Sequence, residues 1–78
     1  MGNIRVGIIG VGNMGSSHAL HINEGKVKGA ELAAICDYNP DRLAWAKDNF
    51  GEKVKLFDNT DDFFASGIID AVIVDTSL

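Results

Sequence analysis

The chain has 78 residues, 46% of them hydrophobic and 23% charged, and a formal net charge of −4. That balance argues against a nucleic-acid surface, which normally shows clustered Lys and Arg, and no apolar run approaches the ~20 residues of a membrane-spanning helix. A chain this short buries only about 60–65% of its unfolded surface, so standing alone it would be marginally stable.

The segment Ile4–Gly10, "IRVGIIG", is nearly continuous in apolar residues, as expected of a strand covered on both faces, with Arg5 near its exposed start. From Asn13 to about Glu24 the pattern becomes helical, with Met14, Leu20 and Ile22 at apolar positions and Gly25 as the stop. "ELAAIC", Glu31–Cys36, reads as a second strand, although its alanines are weak strand formers. A second helix follows, with Asn39 as N-cap, Pro40 as first helical residue, Asp41 at the positive end of the helix dipole and Gly51 as terminator.

"KVKLF", Lys53–Phe57, alternates polar and apolar residues like an exposed or edge strand. Thr60 or Asn59 then caps a short helix through about Ala65, and "IIDAVIV", Ile68–Val74, holds a fourth strand from Asp70 onward. The order β-α-β-α-β-α-β predicts an α/β fold, a Rossmann-type parallel sheet with strand order 3-2-1-4.

The first strand breaks into three glycines, Gly10, Gly12 and Gly15, just where a helix begins. A helix N-terminus offers unpaired N–H groups and a partial positive charge, and a phosphate can use both if no side chain intervenes. Gly10 would make the tight turn, Gly12 would let the main chain approach a pyrophosphate, and Gly15 would let the helix pack against the strand. Alone, G-x-G-x-x-G is a weak signal. Here a strand precedes it, a helix follows, and an acid, Asp37, ends the next strand roughly 20 residues on.

Asp37 can accept hydrogen bonds from the hydroxyls of an adenosine ribose. Its charge would repel a 2′-phosphate, which favours NAD over NADP as cofactor. Arg42, in the first turn of the second helix, can stack on adenine or meet a phosphate, and equally can be a solvated residue paired with Asp41.

The remaining reactive side chains read as structural. His18 and His21 share a helix face and are expected to be packing or surface residues, away from the strand C-termini where ligands bind in open α/β sheets. Cys36, the only cysteine, is expected to pack in the second strand, and Trp45 in the second helix. Asp58, Asp61 and Asp62 have the spacing of loop and helix-cap acids rather than a metal site. A lone cysteine and an N-terminus that enters a strand at once point to a cytoplasmic setting without a signal peptide.

Four segments together, "IRVGIIGVGNMGSSHALHI", "LAAICDYNPDRLAWAKDNFG", "LFDNTDDFFASG" and "IDAVIVDTS", resemble the N-terminal domain of the Gfo/Idh/MocA oxidoreductases over essentially the whole chain. The "GxGxxGxxH" start and "CDxNPDR" are the most specific parts. The resemblance implies a partial NAD(P)-binding domain over residues 1–78, with the family's C-terminal substrate domain absent. It places Gly10, Gly12, Asn13, Met14 and Gly15 on the dinucleotide loop, Asp37 on the ribose-binding acid, Arg42 near the adenine end, and Thr76 and Ser77 where the chain passes the cofactor. His18 matches a common family position without thereby being catalytic.

The chain also departs from the family. Where the family often reads A-T-P after the fourth strand, this chain reads "DTSL", and the sequence offers no physical account of Asp75 at the end of a buried strand. The family's E-K-P lysine and its downstream catalytic Asp and His fall beyond Leu78. The resemblance therefore implies the cofactor-binding part of a dehydrogenase that moves a hydride between a nicotinamide and a sugar, cyclitol or similar polyol. It further implies a homo-oligomer assembled through the missing part, while net charge and the lack of a long apolar run speak against nucleic-acid and membrane partners. A non-catalytic nucleotide-binding or regulatory module, or an inactive fold fragment, is the alternative.

Overall fold

The structure, a computed structural model, describes residues 3–75. Its strands are β1 (Ile4–Ile9), β2 (Ala30–Cys36), β3 (Lys55–Phe57) and β4 (Ala71–Val74), and its α-helices are α1 (Asn13–Asn23), α2 (Pro40–Phe50) and α3 (Thr60–Ala65). The strands form one parallel sheet in the order β3-β2-β1-β4, as expected from the alternation of elements.

Local chemistry sets the helix starts. The Asn39 side chain accepts the N–H of Asp41 at 2.9 Å ahead of Pro40. Of the two candidates for the third cap it is Asn59 that serves, accepting the N–H of Asp62 at 2.8 Å. Gly51 caps the end of α2, as its position in the sequence suggested.

Boundaries of all four strands differ from expectation, β4 beginning at Ala71 rather than Asp70. β1 stops at Ile9 because Gly10 already turns away, at φ +90°. β2 starts one residue early, at Ala30. β3 is only three residues long, because Gly51–Lys53 forms a 3-10 turn and Val54 drops into the core, 2% exposed.

The core has two layers. On one face of the sheet, α1 and α2 cover Val6, Ile8, Leu32 and Ile35 with Ala19, Ile22, Ala46 and Phe50. On the other face Phe63 of α3 packs on Ala34 and Cys36, with Ile9, Phe57, Ile68 and Ile69 around them.

Leu32 and Ile35 are three residues apart yet share a face. The register explains this: Val6 pairs with Leu32 but Gly7 pairs with Ala34, so one extra residue inverts the alternation. Gly7 is bare for a packing reason. A Cβ there would lie 2.6 Å from Cζ of Phe63, whose ring is fully buried.

The chain steps outward from β1 to β2 to β3 and then returns past β1 to β4. Right-handed crossovers in opposite directions put α1 and α2 on one face and α3 on the other. β4 is thereby an edge strand, as the order 3-2-1-4 implies, with Val72 37% and Val74 65% exposed.

At the amino ends of β1 and β4, Arg5 and Asp70 make a two-pronged ion pair. Arg5 Nε donates to Oδ2 at 3.1 Å and an Arg5 terminal nitrogen to Oδ1 at 3.0 Å. The main chain joins in, with Arg5 N–H donating to Oδ2 and Asp70 N–H to the Arg5 carbonyl. The hydrogen bonds from the Arg5 guanidinium and main chain hold the Asp70 carboxyl down at about 2.

Candidate functional site

Reversal of strand order between β1 and β4 opens a crevice at their carboxyl ends, the place where open α/β sheets bind ligands. Every residue of the glycine turn follows β1 directly into that crevice. Gly10 donates its N–H to the Cys36 carbonyl at 2.8 Å, which ties the turn to the end of β2. Gly12 is the N-cap of α1 at φ −71°, a value open to any residue, so its backbone angle does not demand glycine.

Gly15 sits in the first turn of α1 against the Gly10 carbonyl. A Cβ on Gly15 would lie 2.0 Å from that oxygen, a distance no methyl group tolerates. The bare position is what lets the helix end rest directly on the turn. The first N–H groups of an α-helix have no intrahelical acceptor, and no side chain caps α1 and no acid stands in its first turn. The result is a helix end that carries partial positive charge at the crevice.

Asp37 closes the arrangement. Its Oδ2 accepts the N–H of Val11, inside the turn, at 2.9 Å, and its Oδ1 accepts the N–H of Asn39 at 2.9 Å. Its own N–H donates to the Phe57 carbonyl at 3.0 Å, which anchors it at the end of the sheet. An ionised carboxylate has about four acceptor positions. With two taken by main chain, two remain for a diol. A bare turn under a helix end, with a fixed carboxylate beside it, fits the pyrophosphate and ribose of a dinucleotide.

The structure thus brings together Gly10, Gly12, Gly15 and Asp37, and Asn13 and Met14 open α1 beside them. Arg42 is exposed on the first turn of α2, and its N–H donates to the carbonyl of Asn39, the same residue that donates to Asp37. Thr76 and Ser77 lie outside the described residues.

Other expectations are met in detail. Cys36 is buried, and burial pushes its thiol up, with the Asp37 and Asp58 carboxylates adding to the effect. Trp45 packs edge-on to Phe50, with ring centres 5.6 Å apart. Asp58 and Asp62 both accept from the Asn59 side-chain amide, at 2.9 and 3.0 Å, as acids of a loop and cap.

One expectation needs correcting. His18 does not stand clear of the strand C-termini: its Nδ1 lies 3.4 Å from Oδ2 of Asp75, the residue that follows β4. Helix periodicity placed His18 on a face of α1 but could not show that this face meets the end of β4. Tyr38, 74% exposed beside Asp37, also went unassigned; its only sequence signal was an aromatic residue directly after the acid. Among the described residues no group of three or more His, Cys, Asp or Glu side chains is placed to hold a metal ion, and no helix is long and apolar enough to cross a membrane.

Residues 4–77 match the family described as "Oxidoreductase family, NAD-binding Rossmann fold". The chain is 31% identical over 71 residues to an inositol 2-dehydrogenase/D-chiro-inositol 3-dehydrogenase of Shouchella clausii, covering 91% of this chain and 20% of that protein. It is 33% identical over 72 residues to an inositol 2-dehydrogenase of Corynebacterium glutamicum, covering 92% and 21%. Among solved structures, scyllo-inositol dehydrogenase from Lactobacillus casei with bound cofactor NAD(H) and scyllo-inositol superposes with a TM-score of 0.84. There the identity is 35%, over 96% of this chain and 22% of that one. The chain spans about a fifth of the length of these relatives.

Proposed function

We propose that this chain, which belongs to the oxidoreductase family with an NAD-binding Rossmann fold, holds the adenosine diphosphate half of NAD within a dehydrogenase acting on a cyclitol or similar polyol. The observation that carries the reading is the Asp37 carboxylate hydrogen-bonded to the main chain of the glycine turn. That contact fixes the distance between a ribose-binding acid and a phosphate-binding helix end, the two features an ADP moiety needs.

In this reading the main chain of Gly10, Gly12, Asn13, Met14 and Gly15 receives the pyrophosphate. Asp37 accepts the adenosine ribose hydroxyls and repels a 2′-phosphate. Arg42 meets the adenine end, and Thr76 and Ser77 line the continuation of the chain past the cofactor. When bound, the nicotinamide supplies the hydride-transfer chemistry; the residues present here supply binding and orientation. The polyol substrate follows from what the relatives act on. The same reading places the protein in the cytoplasm, as a homo-oligomer without nucleic-acid or membrane partners.

The test is calorimetric titration of the chain with NAD, ADP-ribose and nicotinamide mononucleotide. ADP-ribose is expected to bind nearly as well as NAD, and the mononucleotide far more weakly. Equal binding of the mononucleotide and ADP-ribose, or binding of neither NAD nor ADP-ribose by the folded chain, overturns the assignment.

A further inference from the structure

We propose that His18 and Asp75 form an affinity-setting pair for the dinucleotide, in which the Asp75 carboxylate opposes the phosphates until His18 carries a proton. The inference deepens the nucleotide reading above and rests on it.

Asp75 occupies a charged position in an otherwise favourable anion site. Its N–H donates to the Ile9 carbonyl at 2.8 Å, so it extends the β1–β4 ladder by one residue into the crevice. Its Cβ lies 3.6 Å from where a Gly15 Cβ would stand, which puts the side chain against the first turn of α1. A carboxylate there works against the helix end that is to receive a pyrophosphate.

Its counterpart is His18, one turn further along the same helix. Asp75 Oδ2 and His18 Nδ1 approach to 3.4 Å, within ion-pair distance, but they do not meet hydrogen-bond geometry. Both atoms are shut off from solvent, although the His18 and Asp75 side chains as wholes are 44% and 22% exposed. Two buried polar atoms that face each other without a proper bond call for a physical explanation. An imidazolium at His18 would satisfy both and cancel the charge of Asp75. A neutral imidazole leaves that charge in place.

Among the described residues, the titratable groups placed beside His18 are Asp75 and His21. Asp75 comes from the end of β4. His21, one turn on along α1, shares with His18 the lining of a hollow of about 220 Å³. The rest of that lining, from Val6 of β1 and Ile22 of α1 to Ile73 of β4, is apolar. Between pH 5.5 and 8 an imidazole ordinarily changes charge while carboxylates and phosphodiesters do not. Dinucleotide affinity should therefore fall as pH rises over that range.

The experiment is calorimetric titration of the whole chain with NAD at pH 5.5, 6.5 and 8.0 at fixed low ionic strength. The native chain is expected to bind roughly fivefold more weakly at pH 8.0 than at pH 5.5. His18→Gln should bind with a pH-independent affinity near the weaker value. Asp75→Asn should bind roughly fivefold more tightly than the native chain at pH 8.0. His21→Gln should keep the native slope, and circular dichroism confirms that each variant is folded. A native affinity that does not vary with pH, a slope that survives in His18→Gln, or no gain in Asp75→Asn overturns the pair while leaving the nucleotide reading intact. A folded native chain that binds NAD at none of the three pH values overturns both.

Discussion

Asp37 Oδ2 accepts the main-chain N–H of Val11 at 2.9 Å, across 26 positions of sequence. That bond joins the end of β2 to the turn after β1, and it makes one side chain both a structural tie and the candidate ribose acceptor. The two roles separate under substitution. Asp37→Ala leaves the N–H of Val11, a fully buried residue, without its acceptor, at a cost of about 1–3 kcal/mol. Asp37→Asn keeps an acceptor but loses the charge. We expect Asp37→Asn to unfold close to the native midpoint and to bind NAD and NADP with more nearly equal affinity, whereas Asp37→Ala loses stability and NAD affinity together. Denaturant melts and paired NAD and NADP titrations check both outcomes.

The contact of Gly15 with the Gly10 carbonyl predicts a sharp response to the smallest substitution. A methyl at Gly15 would stand 2.0 Å from that oxygen, so helix and turn must separate. Overpacking of this kind costs about 1–3 kcal/mol. Gly15→Ala should lower stability by that amount and reduce NAD affinity by at least tenfold, even though alanine is a better helix former than glycine. An unchanged NAD titration would show that the helix end and the turn do not act as one anion site.

Gly7 of β1 and Phe63 of α3 form a complementary pair where that helix packs on the sheet. Phe63→Ala removes a fully buried ring and should cost about 3–5 kcal/mol, enough to unfold much of so small a chain. Gly7→Ala intrudes on that ring at 2.6 Å and should cost about 1–3 kcal/mol. In the double variant the added methyl enters the hole left by the ring. The combined loss should then be smaller than the sum, which a double-mutant cycle of melting curves measures directly.

The Arg5–Asp70 pair carries a pH signature with a definite sign. The folded-state carboxyl of Asp70 titrates at about 2, below the ~3.9 of an unfolded aspartate. Its contribution is therefore complete above about pH 4 and lost as pH falls through about 2. Both side chains are over two-fifths exposed, so water and salt keep the effect small. Asp70→Asn should melt slightly below the native chain at pH 7 in low salt. The gap should shrink in high salt and close as the pH approaches 2; a gap that stays constant over that range would contradict the assignment.

Much of the architecture is legible from local pattern. The apolar run of β1, the Asn39-Pro40 start of α2, the Asn59 cap of α3 and the alternation of strand and helix depend on near neighbours, and handed crossovers turn that alternation into the order β3-β2-β1-β4. The glycine turn and the acid at position 37 were legible for the same reason: each follows directly from the end of a strand. The short β3 was not, because only the packing of Val54 against the core shows where the strand can begin.

Composition and spacing by themselves determined the α/β class, the positions of the caps and the identity of the candidate phosphate loop. They rest on backbone conformation and side-chain periodicity within a few residues. Only the tertiary structure decided that Gly7 is bare to admit Phe63, that Asp37 reaches the N–H of Val11, and that His18 faces Asp75. Each of these joins residues 26 or more positions apart. Such contacts depend on how helices and strands stack after the chain has crossed the sheet, and no local periodicity encodes that distance.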